Sequence, residues 1–165
     1  MSFEYVAHVI PECTGNHFLV SSYECDSCNK FYGRYLENEY SNYFSFYHNA
    51  AGVSGKKHTP HYQSNNYEVK SRLEKYPGGK VFVIRDTIDN MAATIDHETK
   101  TIIRTGEVST HIPMAVFKCF VKMAISIISP EEVCNFKETI TWITTRKHSN
   151  FYSSIPEKSY LSDIE

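Results

Sequence analysis

The sequence lacks a long apolar run, a strong net charge and a leader-like start, and each absence removes a class of function. The most apolar stretch, residues 113–128, is broken by Lys118 and Lys122, whereas a membrane-spanning helix needs about 20 mostly apolar residues. No membrane partner is expected. The first eleven residues carry neither a basic segment nor an apolar core, so nothing there directs export and the expected compartment is the cytoplasm. Five cysteines (Cys13, Cys25, Cys28, Cys119 and Cys134) are an odd number in a chain with no secretory signal, which argues against a disulfide framework and leaves metal ligation or burial. With 17 basic and 19 acidic residues the net charge is −2, so this is not a strongly basic domain that gathers phosphates by its overall field. No internal repeat or low-complexity tract is present, and residues 52–57 lack the spacing of a phosphate-binding P-loop.

What is present is enough apolar and aromatic material, 41% and 14% of 165 residues, to bury a core and to exclude intrinsic disorder for most of the chain. Charge is unevenly spread. Residues 1–45 hold two basic and six acidic side chains, a balance of −4, and residues 46–80 hold six basic and two acidic, a balance of +4. The composition of residues 48–66, rich in Gly, Ser, Asn and Pro, reads as a connecting loop. It separates an N-terminal module, residues 1–47, from an accessory region, residues 67–165.

Within the first module the pattern predicts a short strand over 17–20 and a helix over 26–46, with Phe31, Tyr35, Leu36, Tyr40, Tyr43 and Phe44 on its apolar stripe. In the accessory region, residues 67–73, 80–85, 91–95 and 101–105 predict one small antiparallel sheet. Two helices follow. The first places Phe117, Phe120, Val121, Ala124 and Ile128 on one apolar face and Lys118 and Lys122 on another. The second opens with Ser129, Pro130, Glu131 and Glu132, the signature of a capping box, and continues with Val133, Phe136, Ile140 and Ile143 at helical spacing, so that Cys119 and Cys134 read as neighbours of a core.

The segment that carries chemistry is AHVIPECTGNHFLVSSYECDSCNKFYG, residues 7–33. It contains His8 followed by Val9, Ile10 and Pro11, a small-residue turn (Thr14, Gly15, Asn16), and Cys25-x-x-Cys28 followed at once by Asn29. This arrangement resembles the HNH endonuclease family, in its cysteine-bearing branch. The helical stretch from Pro113 to Glu132 looks like a second region found in some proteins with this nuclease module. The resemblance implies an α+β fold: an N-terminal ββα-metal module of two hairpin strands and a helix, followed here by the small antiparallel sheet and two C-terminal helices. It implies hydrolysis of phosphodiester bonds in DNA. His8 is the expected general base, because an imidazole with an ordinary value of about 6.5 accepts a proton near neutral pH. Asn29 is the expected ligand of Mg²⁺ or a similar divalent cation, through its amide oxygen. Its place in the first helical turn also favours a phosphate there. Cys25 and Cys28 are expected to hold a structural Zn²⁺. Lys56 and Lys57 are candidates for phosphate contact, and the accessory region for substrate binding or a homodimer interface.

The sequence departs from the family pattern in three places. The family usually supplies a second C-x-x-C upstream of the His, and here seven residues precede His8; Cys13 and His17 are the other donors at hand. An Asp or Glu often precedes the His, and here Ala7 stands there, leaving Glu12 or another acid to replace it. The family's middle Asn, which orients the His, has Asn16 and Ser21 in range. These departures motivate a second expectation: a catalytically degenerate zinc-ribbon module that binds nucleic acid or protein.

Overall fold

The computed structural model describes residues 1–55, 62–63, 70–75, 82–86, 93–104 and 108–147. The chain begins with a β-hairpin of very short strands, β1 (Ala7–His8) and β2 (Val20–Ser21), paired antiparallel with Ala7 opposite Ser21 and His8 opposite Val20. Two-residue strands bury too little to hold a hairpin alone, and side chains supply the rest. Asn16 makes four of these side-chain bonds: its amide nitrogen donates to the carbonyls of Ile10 and Leu19, and its oxygen accepts from the amides of Phe18 and Leu19. The second strand lies later than predicted because residues 12–14 form a 3-10 turn closed by Gly15 at φ 84°, which a glycine adopts without strain.

A continuous helical rod follows, made of α1 (Asp26–Tyr32), one wide π turn (Gly33–Glu37) and α2 (Asn38–Ala50). It starts where predicted but runs through the first residues of the expected loop. Tyr32, Leu36 and Tyr40 are buried on one side of the rod and pack with Ala115, Val116, Cys119 and Ile143 into a single core. Phe31, Tyr43 and Phe44 pack against that core partly exposed. Tyr40 and Phe44 lie with ring centroids 4.6 Å apart, and Phe120 meets Tyr40 edge-on at 5.4 Å.

Among the described residues the strands of the predicted single sheet fall into two sheets. β3 (Tyr62–Gln63), β4 (Lys70–Lys75) and β5 (Phe82–Asp86) form an antiparallel sheet in that order, and β6 (Ala93–Asp96) and β7 (Thr101–Arg104) form a separate hairpin. β3 falls inside the expected loop. The mixture of helices with small antiparallel sheets is α+β.

The largest correction concerns α3 (Pro113–Ile127). Lys118 and Lys122 are buried on its inner face together with Ala115, Val116, Cys119, Ile125 and Ser126, while Phe117 and Phe120 are each 44% exposed. The apolar stripe read from the sequence is therefore the more open one. Both ammonium groups find oxygen partners inside the fold, which is what makes burial of a lysine tolerable. Lys118 donates to the carbonyls of Thr145 and Lys147 at 2.9 and 2.7 Å and lies 4.9 Å from the centre of the Trp142 ring. It thereby holds the chain that leaves α5 (Lys137–Ile143).

The helix expected after Ser129 is interrupted: α4 (Pro130–Val133) passes through a 3-10 turn (Cys134–Phe136) into α5. Ser129 stands at the cap and Pro130 at the first helical position, but the Ser129 hydroxyl meets the Glu132 carboxylate at 3.3 Å rather than a backbone amide. Phe136 and Cys134 are exposed, contrary to their expected place in the core, and Cys119 is fully buried. Among the described residues no helix is long and apolar enough to cross a membrane.

Candidate functional site

The hairpin and the start of the rod enclose a broad cleft of about 1060 Å³, lined among others by Val6, His8, Glu12, Asp26, Asn29 and Glu37. His8 and Asn29, the two residues singled out by motif, thus share one cavity. Their placement follows from local structure. His8 is the last residue of β1, and directly opposed residues of an antiparallel pair put their side chains on the same face, so His8 shares its face with the half-exposed Val20. Asn29 sits in the first turn of α1, its amide proton bonded to the Cys25 carbonyl at 2.9 Å. Its side-chain nitrogen donates to the Val6 carbonyl at 3.1 Å, two residues before His8. That bond clips the helix start to the strand and leaves the amide oxygen as the donor atom available to a cation.

The two imidazole nitrogens of His8 have different surroundings. Nδ1 is buried without a hydrogen-bond partner, and Nε2 lies 3.4 Å from a Glu12 carboxylate oxygen. The same oxygen is 3.9 Å from Nδ1 of His17, which is 45% exposed. Glu12, raised from the sequence as a substitute for the missing acid at position 7, thus faces His8 from the 3-10 turn.

Asp26 escaped the sequence reading altogether. Its carboxylate accepts from the backbone amides of Glu4 and Tyr5, each at 3.0 Å, and from the Ser2 hydroxyl, while its own amide donates to the Ser2 carbonyl. The hydrogen bonds from Ser2 and Tyr5, aided by that from Glu4, hold its carboxyl below the ordinary range. The N-terminal segment is thereby fastened across the helix start, which takes up part of the position expected to receive a phosphate. The only cue was an acid in the first helical turn.

Cys25 and Cys28 lie away from this cleft. They line a smaller cavity of about 240 Å³ with Tyr23, Glu24, Tyr32 and Lys122 among others. Cys25 is the cap residue of α1, and its thiol is lowered by the Ser27 hydroxyl 3.1 Å away and by the Cys28 amide. Burial, followed by the adjacent Cys25, pushes the Cys28 thiol up to about 11. Glu24 is also raised, by burial above all, against the opposing pull of Lys122. Cys13 lines the broad cleft instead, and His17 meets Glu12, so neither joins the cysteine pair.

The donor sets differ in what they fit. Among the described residues no group of three His, Cys, Asp or Glu side chains is placed to hold a metal ion. Two thiols alone do not make the four-ligand shell of a structural zinc. Magnesium keeps several waters and is commonly held by one or two carboxylates and the substrate's phosphates. The Asn29 amide oxygen and the Glu12 carboxylate, both lining the cleft, suit that weaker demand. Ser21, weighed beside Asn16 as the orienting residue, has a buried hydroxyl without a partner, whereas Asn16 braces the loop between the strands. Lys56 and Lys57 lie outside the described residues. No protein-family model, no curated protein and no solved structure matches the chain.

Proposed function

We propose that the chain is a metal-dependent endonuclease of the HNH type that hydrolyses phosphodiester bonds in DNA. The observation that carries this reading is that a strand-borne imidazole, His8, and an amide in the first turn of the following helix, Asn29, line the same open cleft. His8 takes the proton from the attacking water as general base, and the Glu12 carboxylate, 3.4 Å from Nε2, faces the imidazolium so formed. The Asn29 oxygen and Glu12 would hold the cation, which when bound stabilises negative charge on the phosphate and the leaving oxygen. Asn16 keeps the loop between the strands fixed, so that β1 presents His8 at a constant angle to the helix.

Purified protein with Mg²⁺ or Mn²⁺ is expected to nick supercoiled plasmid, and His8→Ala to lower the rate by about 10²–10⁴, the usual contribution of a general base. Equal rates for the two proteins would overturn the reading. Salt-sensitive DNA binding with no cleavage by either protein would replace it with a binding module.

A further inference from the structure

One of the two buried lysines of α3, Lys122, reaches the backbone of the strand that carries His8. Lys122 is 1% exposed, and its ammonium donates to the His8 carbonyl and to Glu37 Oε1 at 3.2 Å, with Glu24 Oε2 at 3.4 Å. An ammonium has three protons; two go to the His8 carbonyl and Glu37, and Glu24 stands beside it as a second counter-charge. The His8 carbonyl is available for geometric reasons. In antiparallel pairing, residues alternate between pairs that exchange backbone hydrogen bonds and pairs that do not. The amide of Val9 donates to the carbonyl of Leu19 at 3.0 Å, so the neighbouring pair, His8 opposite Val20, turns its backbone groups away from β2. The outward carbonyl of His8 therefore needs a donor from elsewhere, and Lys122 supplies it. Glu37, at the end of the π turn, lines the same cleft as His8.

We propose that Lys122 is a positioning residue for His8: by joining the His8 carbonyl to Glu37 it fixes the distance between the imidazole on β1 and Asn29 on the rod. This rests on the nuclease reading for its consequence in rate, but not for its consequence in structure. Stability alone explains the lysine poorly. A buried ammonium flanked by carboxylates carries a large desolvation cost, and apolar residues of similar volume are often as good or better. What a methionine cannot reproduce is a directed bond to a backbone carbonyl.

Lys122→Met alone would leave Glu24 and Glu37 charged and unpaired in the interior, so the informative variant is Lys122→Met with Glu24→Gln and Glu37→Gln. Beside it stands the control Glu24→Gln with Glu37→Gln. Relative to that control, the triple variant is expected to keep its fold and KM for plasmid DNA while kcat falls about 10- to 100-fold, the scale expected when a reacting group is slightly misplaced. Lys122→Arg, which can still donate to the carbonyl, is expected to retain most of the rate. The proton resonances of the His8 ring are expected to move toward their unfolded positions in the triple variant but not in the control. Unchanged kcat and unchanged His8 resonances in a folded triple variant would overturn the proposal. If the wild-type protein does not cleave, the nuclease reading fails separately, and the His8 resonances still decide whether Lys122 holds the strand.

Discussion

The hairpin and the helical layer are held in different ways. Around Leu36, which is fully buried, cohesion comes from apolar contact among Tyr32, Tyr40, Val116, Cys119 and Ile143. The hairpin is divided: Ala7, Val9 and Pro11 on its first arm are buried, whereas Phe18, Leu19 and Val20 on its second are exposed, Phe18 at 90%. Its shape also depends on polar bonds to backbone groups, from Asn16 within, from Asn29 at the helix start and from Lys122 across the fold. The candidate site thus sits on an element that combines a few directed bonds with three buried apolar residues, beside a layer held mainly by apolar contact.

Three substitutions break this contrast apart. The largest effect is expected for Leu36→Ala, which should cost about 2–5 kcal/mol in denaturant unfolding through lost burial and a residual cavity, lowering the stability of the whole molecule. Asn16→Ala removes a four-fold brace, and at about 1 kcal/mol net per bond with partial replacement by water it should cost about 1–3 kcal/mol. Its signature should be local: faster amide exchange at Phe18 and Leu19 with residues 113–127 unaffected. Uniform loss of protection across both regions would show that hairpin and helices are not separable in this way.

The smallest effect concerns Asp26 and is read through pH. Because its folded value lies below its ordinary one of 3.8, its contribution is fully present above that value and disappears as pH falls through the lower, folded one. Amide protection of Glu4 and Tyr5 should therefore persist at pH 5 and vanish on strong acidification, and Asp26→Ala should abolish it at both. Protection that ignores pH would detach the N-terminal segment from this carboxylate.

The same contrast explains what could be read from the sequence. The rod was legible because Phe31, Tyr35, Leu36, Tyr40, Tyr43 and Phe44 approximate a helical stripe and because the C-x-x-C-N string marks its start, although Tyr32, which is buried with Leu36 and Tyr40, was not on that stripe. His8 and Asn29 were singled out by their resemblance to a motif, and the cleft they share follows from a hairpin leading directly into a helix. The lysines of α3 were not, because hydropathy periodicity assigns an ammonium to the open face and has no means of seeing a carbonyl left unpaired 114 positions away. Asp26 was missed for a related reason: its partners are backbone amides of residues 4 and 5, which no side-chain pattern records.

The wide turn at Gly33–Glu37 makes chain length in this stretch as consequential as its composition. A π turn accommodates one residue more than the α-helical repeat, and each residue of an α-helix advances the next by about 100°. Deleting Arg34 would let the rod close into a regular helix with its downstream faces kept, but winding all the present residues as a regular helix would rotate everything downstream by about that angle relative to Asn29. Glu37 and the aromatic ridge of α2 would then face new directions. The irregular turn is a phase adjuster: it lets one rod present a polar face to the cleft at one end and an apolar face to α3 at the other.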